Sequence, residues 1–281
     1  MRYKRHLYTA ALVVCSATTT YFATHSEAEP ATGRQAGADN DYQIGGTLYM
    51  QKAAEYRALT YQAYNLARWQ LDADLDKKRV KNLPKEQRKM RRAVVVDIDE
   101  TVLDNSPAEA YNITNHAPFD TKQWYAWGDM RKAKAIPGSV DFLNYAVSKG
   151  VKVFFVSNRD DVQKQATIDN LKNVGFQDVS ADNVILRTTD STKEPRRQAI
   201  AAKYRIVLLM GDNLDDLSNV FERKSIADRF AEVDKVKNDW GKRWIVLPNA
   251  MYGTWENAIY DYGRLTEAQK AEKRLNSLEL P

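Results

Sequence analysis

A chain of 281 residues, 43% hydrophobic and 28% charged, is long enough to bury one large core or two small ones, and one domain is expected. Its single cysteine, Cys15, excludes an internal disulfide, so stability has to come from apolar packing. The formal net charge of +5 favours encounter with small anions and says nothing about the fold.

The amino terminus reads as an export signal. Arg2, Lys4 and Arg5 precede the apolar stretch Leu7–Val14, which at eight residues is too short to span a bilayer. Leu12-Val13-Val14-Cys15 resembles a bacterial lipoprotein signal, in which Cys15 becomes the lipidated first residue and anchors the chain to a membrane. Val14 departs from the small residue usual before that cysteine, and cleavage after Ala28, at Ser26-Glu27-Ala28, is the alternative. The protein is therefore expected in the bacterial cell envelope, as an outer-membrane lipoprotein or a periplasmic protein, with secretion as a third destination. Residues 1–28 hold the signal and the start of a tether, which continues as a flexible linker over 29–45.

Downstream, a long amphipathic stretch covers about 47–80. Between Lys77 and Arg92, nine of sixteen residues are basic, which reads as a solvated face or as a contact for an anionic membrane or polyanion. Short Val- and Ile-rich runs at 93–96, 153–156, 184–186, 206–210 and 244–247 have the look of buried parallel strands. Helical patterns at about 138–149, 160–174 and 194–203 lie between them, with Gly150 and Gly175 just past the first two ends. Strand alternating with helix predicts an α/β fold, a doubly wound parallel sheet with right-handed crossovers. Two segments stand outside the alternation, 47–80 and 108–135; with the C-terminal stretch 255–281, helical at about 264–278, they are expected to form a small helical cap beside the site.

Chemistry concentrates where strands end. Asp97 and Asp99 follow the run Ala93–Val96, and alternate residues of an extended chain point the same way. Paired carboxylates at the carboxyl end of a buried strand suit a hard divalent cation, although such a pair also forms turns and helix caps. Three more strand ends follow in order: Ser157-Asn158-Arg159, the segment Asp190–Arg197 containing Lys193, and Gly211-Asp212-Asn213-Leu214-Asp215-Asp216.

With Asp97-x-Asp99, Ser157, Lys193 and Asp212-x-x-x-Asp216 in view, the chain resembles a haloacid-dehalogenase (HAD) superfamily phosphatase, specifically a bacterial class C "DDDD" acid phosphatase of the lipoprotein e 5'-nucleotidase type. The likeness covers roughly 46–281 and includes LYMQKAAEYRALTYQAYNLA, DIDETVLDNSP and LPNAMYGTWE. The resemblance implies an HAD-like core in which Asp97 is the nucleophile and Asp99 the general acid, then base. It implies a single Mg2+ held by Asp97, Asp212 and the main-chain carbonyl of Asp99, with Asp216 supporting that site from behind. It also implies a phosphate pocket of Ser157, Asn158 and Lys193. Lys193 has an alternative reading as part of a solvated basic run with Arg196 and Arg197, and Arg159 as the partner of a structural carboxylate.

The expected substrate is a small phosphomonoester, a nucleoside 5'-monophosphate first, with no nucleic-acid polymer as partner. Tyr252, Trp124 and Trp255 are the aromatic candidates for stacking on a base, though each taken singly also suits a core. Two alternatives stay open: a phosphotransferase using the same aspartyl-phosphate, and a non-catalytic envelope binding protein on the same scaffold.

Overall fold

The computed structural model describes residues 40–78 and 80–281; the expected export signal, Cys15 and most of the expected tether lie outside them. Among the described residues no helix is long and apolar enough to cross a membrane. In chain order the elements are α1 (Ile44–Lys52), α2 (Ala54–Leu75), α3 (Lys85–Lys89), β1 (Arg91–Val96), β2 (Leu103–Asp104), α4 (Ser106–Thr114), α5 (Thr121–Met130), β3 (Lys134–Ala135), α6 (Ser139–Ser148), β4 (Lys152–Asp160), α7 (Lys164–Asn173), β5 (Val184–Arg187), α8 (Glu194–Ala201), β6 (Tyr204–Gly211), α9 (Ile226–Lys235), β7 (Trp244–Val246), α10 (Thr254–Ile259) and α11 (Glu267–Asn276).

Five strands make one parallel sheet in the order β5-β4-β1-β6-β7, so β1, whose last four residues are all buried, is central. Period-two alternation sends Val94 and Val96 into one core and Ala93 and Val95 into another on the opposite face. The larger core takes Tyr64, Ala67 and Leu71 of α2, Phe142, Leu143 and Ala146 of α6, and Ile168 and Leu171 of α7; the smaller takes Ile200 of α8. Helices on both faces of a parallel sheet confirm the doubly wound α/β class. The chain winds outward from β1 in one direction through β4 and β5, then in the other through β6 and β7. The order therefore reverses between β1 and β6, where open sheets leave a crevice at their carboxyl ends.

Three differences from the sequence reading bear on the site. The linker expected up to residue 45 is ordered from Asn40: Asn40 and Gln43 are buried, and Asn40 Nδ2 donates to the Ala117 carbonyl at 2.6 Å. The stretch 47–80 divides at Ala53, whose ψ of 126° breaks the helix. Its longer part, α2, is a core helix against α6, β6 and β7 and not part of a cap, because its Tyr64-Ala67-Leu71 stripe has sheet to bury against. Only α1, packed on α4, stays near the mouth; its Gly46 lies so close to the Ala250 carbonyl that an added Cβ would sit 2.1 Å from that oxygen.

Candidate active site

β1 ends at Val96, one residue short of the first aspartate. The ladder lasts one bond further, from the Asp97 N–H to the Met210 carbonyl at 2.9 Å, and then the chain turns. Ile98, Val102 and Leu103 are wholly buried, and the N–H groups of Val102 and Leu103 both donate to the Ile98 carbonyl at 2.9 Å. Glu100 takes the left-handed conformation, φ 55°, inside that turn. Strand alternation thus does not govern Asp97 and Asp99, and the two carboxylates acquire different partners.

Asp97 is buried on the floor of the crevice. The Lys193 ammonium, itself 5% exposed at the start of α8, contacts Asp97 Oδ1 and lies 2.7 Å from Asp216 Oδ1. Burial disfavours the Lys193 charge, but Asp216 and Asp97 outweigh it and push its pKa up. Asp97 is held well above the usual carboxylate range, by burial first; Lys193 opposes this, while Asp216, Asp212 and Asp99 add repulsion. Asp212, at the end of β6, is pushed up to about 7 by burial and Asp216 against the Asn249 amide and Lys193. Its oxygens accept from Asn249 Nδ2 at 2.9 Å, Asn213 Nδ2 at 3.1 Å and Thr101 Oγ1 at 3.2 Å.

Asp97, Asp212 and Asp216 each bring a carboxylate oxygen within 4.8 Å of the others. Crowded hard oxygens fit a divalent cation, whose charge removes their mutual repulsion. Asp216 reaches this cluster because Gly211 has no side chain: a Cβ there would meet the Asp216 Cβ at 2.4 Å. Asp216, expected only in support of the metal set, brings its own oxygen into the cluster; the expectation for Asp99 concerned its main-chain carbonyl, not its carboxylate.

Asp99 faces the mouth instead. Arg159, 4% exposed, grips it with Nε to Oδ1 at 2.9 Å and a second nitrogen at 2.8 Å. Asn105 Nδ2 donates to the same oxygen at 2.7 Å, and Ser157 Oγ to Oδ2 at 3.3 Å. Arg159 therefore does pair with a carboxylate, but that carboxylate is in the site. Ser157 is buried, whereas Asn158 is exposed and held by Arg196, which donates to the Ser157 carbonyl at 2.7 Å and to Asn158 Oδ1 at 2.6 Å. Arg197 is buried and donates to the carbonyls of Asp215 and Asp216 at 2.9 and 2.7 Å. Lys193, Arg196 and Arg197 are thus not a solvated run.

The cavity above these groups is about 480 Å³, and Asp97, Asp99, Ser157, Asn158, Lys193, Asp212 and Asp216 all line it. Its upper wall comes from α4, α5, α11 and the ordered segment at 40–43, through Asn112, Phe119, Trp124, Lys270 and Tyr42 among others. Tyr252 lines it too, its hydroxyl donating to Glu100; Trp124 stands over the Arg159 guanidinium, 5.5 Å from ring centroid to Cζ. Trp255 does not line the cavity and is 42% exposed on α10. Glu100 and Asn105 are participants that sequence reasoning missed. Asn105 before Ser106-Pro107 looks like a helix cap, yet its side chain makes no cap bond and serves the site. An acid with the apolar Ile98 two residues before it and Val102 two after was the available signal for Glu100.

Comparison with known proteins agrees with this geometry. The family described as "HAD superfamily, subfamily IIIB (Acid phosphatase)" matches residues 8–255. The class C acid phosphatase from Bacillus anthracis is 38% identical, with a TM-score of 0.79 over 86% of this chain and 98% of that one; the same enzyme with tungstate bound gives 39% and 0.79. Acid phosphatase 1 of Solanum lycopersicum is 30% identical over 131 residues, 44% of this chain and 51% of that protein. The chain thus spans about half the length of the curated relatives it matches. It belongs to the family described as HAD superfamily, subfamily IIIB (Acid phosphatase), and is similar over most of its length to a class C member of known structure.

Proposed function

We propose that the protein is a magnesium-dependent hydrolase of small phosphomonoesters, nucleoside 5'-monophosphates above all, working through an aspartyl-phosphate on Asp97. The observation that carries this reading is the pairing on the cavity floor: a buried Asp97 held by Lys193 and faced by Asp212 and Asp216, with Asp99 set apart at the mouth. An Asp97 oxygen attacks phosphorus in line as the ester P–O bond breaks, and Asp99 gives its proton to the departing alkoxide. Water then attacks the same phosphorus, Asp99 takes its proton, the bond to Asp97 breaks and phosphate leaves. Lys193, Ser157 and Asn158 line the same cavity, which supports a role for them as donors to the phosphoryl oxygens, positioned donors being the usual largest contribution. Asp97 and Asp212, with Asp216 close by and the Asp99 carbonyl, would hold Mg2+, which supplies neutralisation of those oxygens.

Tyr252 and Trp124 offer aromatic faces at the wall where the leaving group sits, which supports a nucleoside. Tungstate, carried by the Bacillus anthracis relative, is a tetrahedral oxyanion of phosphate shape, and this too supports the reading. Arg2–Val14 and Cys15 support export to the envelope, with either a lipid anchor or cleavage after Ala28. The test is turnover of a chromogenic phosphomonoester before and after EDTA. Activity lost to the chelator and regained with Mg2+ is the expected result; no metal-restorable turnover would overturn the proposal.

A further inference from the structure

Glu100 is a buried acid that the steps above leave unused. It is wholly buried, sits at φ 55°, and no lysine or arginine pairs with it among the described residues. Burying a carboxyl group without a cation and bending a non-glycine residue into the left-handed region both cost free energy, so the surroundings must over-determine the position. They do so with three donors. Asn105 gives its main-chain N–H to Oε1 at 2.7 Å and its Nδ2 to Oε2 at 3.4 Å, and the Tyr252 hydroxyl reaches Oε2 from 152 residues away in the chain.

The second half of the link is Asn105. It occupies the cap position of α4 but leaves that task to Asp104, whose Oδ1 accepts from the Ser106 N–H at 2.9 Å. Released from capping, Nδ2 donates to Asp99 Oδ1 at 2.7 Å, while Oδ1 accepts from Trp127 Nε1 at 2.9 Å and from Arg159 at 3.2 Å. An unbroken hydrogen-bonded chain therefore runs Tyr252, Glu100, Asn105, Asp99. The Tyr252 loop is also tied to the floor through Asn249, which accepts from the Met251 N–H at 2.9 Å and donates to Asp212 at 2.9 Å.

We propose that Glu100 is a positioning residue that joins the Tyr252 wall to the Asp99 carboxylate through Asn105. The surface receiving the leaving group and the group protonating it are then held as one piece. Loss of Glu100 lets the Tyr252 ring swing from the cavity and frees the amide that braces Asp99. This inference rests on the phosphomonoesterase reading, and on Asp99 as its proton donor.

A two-residue cycle tests it, with adenosine 5'-monophosphate and methyl phosphate as substrates and thermal unfolding followed in parallel. Tyr252→Phe keeps the ring and removes the link. Glu100→Gln keeps its two main ties, because the amide oxygen accepts from the Asn105 main-chain N–H and the amide nitrogen donates to the tyrosine oxygen, losing only the 3.4 Å contact from Asn105 Nδ2. Glu100→Ala and Tyr252→Phe are each expected to lower kcat/KM on the nucleotide about tenfold, mainly through KM, with the double variant no worse than the worse single one. Glu100→Ala also lowers kcat on methyl phosphate, and Glu100→Gln recovers activity to within about threefold of the parent. Should Glu100→Ala fail to fold, Glu100→Leu, which fills the space and offers no acceptor, takes its place in the cycle with Tyr252→Phe.

Additive losses, or a Glu100→Gln variant as impaired as Glu100→Ala, would overturn the link and leave Glu100 a purely structural residue. Adenosine affinity measured by calorimetry separates the two levels of inference. A parent protein that turns over no ester yet keeps non-additive adenosine affinities overturns the phosphatase reading alone. Normal turnover with additive affinities overturns the role of Glu100 alone.

Discussion

The floor of the cavity and its Asp99 side are built from the same residue type by opposite means. On the floor, Asp97 meets a compact ammonium and two further carboxylates, buried except for the half-buried Asp212, so like charge accumulates in a place that only a cation can relieve. At the mouth, Asp99 meets a planar guanidinium, an amide and a hydroxyl, which orient it without crowding it. A point charge on Lys193 suits a group whose partners change during a reaction, whereas the fork of Arg159 suits one that must hold its direction. The difference teaches that spacing along the chain says little about role: two residues apart, Asp97 and Asp99 are separated by their partners.

Experiments that remove one side should leave the other recognisable. The largest effect is expected from Asp97→Asn, a loss of at least about a thousandfold in kcat with Tm unchanged or raised, since a repelling charge is gone; steady-state kinetics and calorimetry check both. Next comes Arg159→Lys, which keeps the charge and loses the fork: kcat falls about tenfold while KM moves little, and an equal KM change would erase the proposed contrast. Smaller again is Trp124→Ala, which raises the nucleotide KM about threefold where Trp255→Ala changes it less than about twofold, because only Trp124 stands on the cavity wall.

The smallest effect lies far from the site. Asp74 ends α2 against Arg92 and Arg205, at 2.6 Å to each, and this ties a core helix to β1 and β6. Burial alone would raise its pKa, but the Arg205 and Arg92 hydrogen bonds win and hold it below the ordinary 3.8. A depressed carboxyl contributes stability that is complete above its unfolded value and disappears as pH falls through the folded one. Asp74→Asn should therefore cost about 1 kcal/mol at neutral pH, discounted for solvent screening, and nothing once pH lies well below 3.8. Denaturant unfolding across that range measures it.

The central sheet was legible because its strands are continuous apolar runs; each of the five expected runs is a strand, and Gly150 and Gly175 end their helices at positive φ. The four aspartates, Ser157 and Lys193 were legible because each follows such a run. The cap was read less well. α2 carries the same amphipathic pattern whether its apolar stripe meets a sheet or a lid, and periodicity does not name the partner. Trp255 and Tyr252 lie three residues apart in one segment, yet only Tyr252 turns into the cavity. Glu100 and Asn105 carry ordinary turn and cap signatures, which hid the work they do.

By itself the sequence determined the α/β class, the strand ends that bear chemistry and the residue types gathered there, since these follow from local apolar periodicity and from polar residues that break it. Only the tertiary structure decided that Asp216 joins the acidic cluster, that Arg159 belongs to Asp99, and that Tyr252 reaches Glu100 across the crevice. Those pairings depend on which strand ends the sheet order makes neighbours, β6 and β4 on either side of β1 and β7 beyond β6, and no spacing along the chain encodes that neighbourhood.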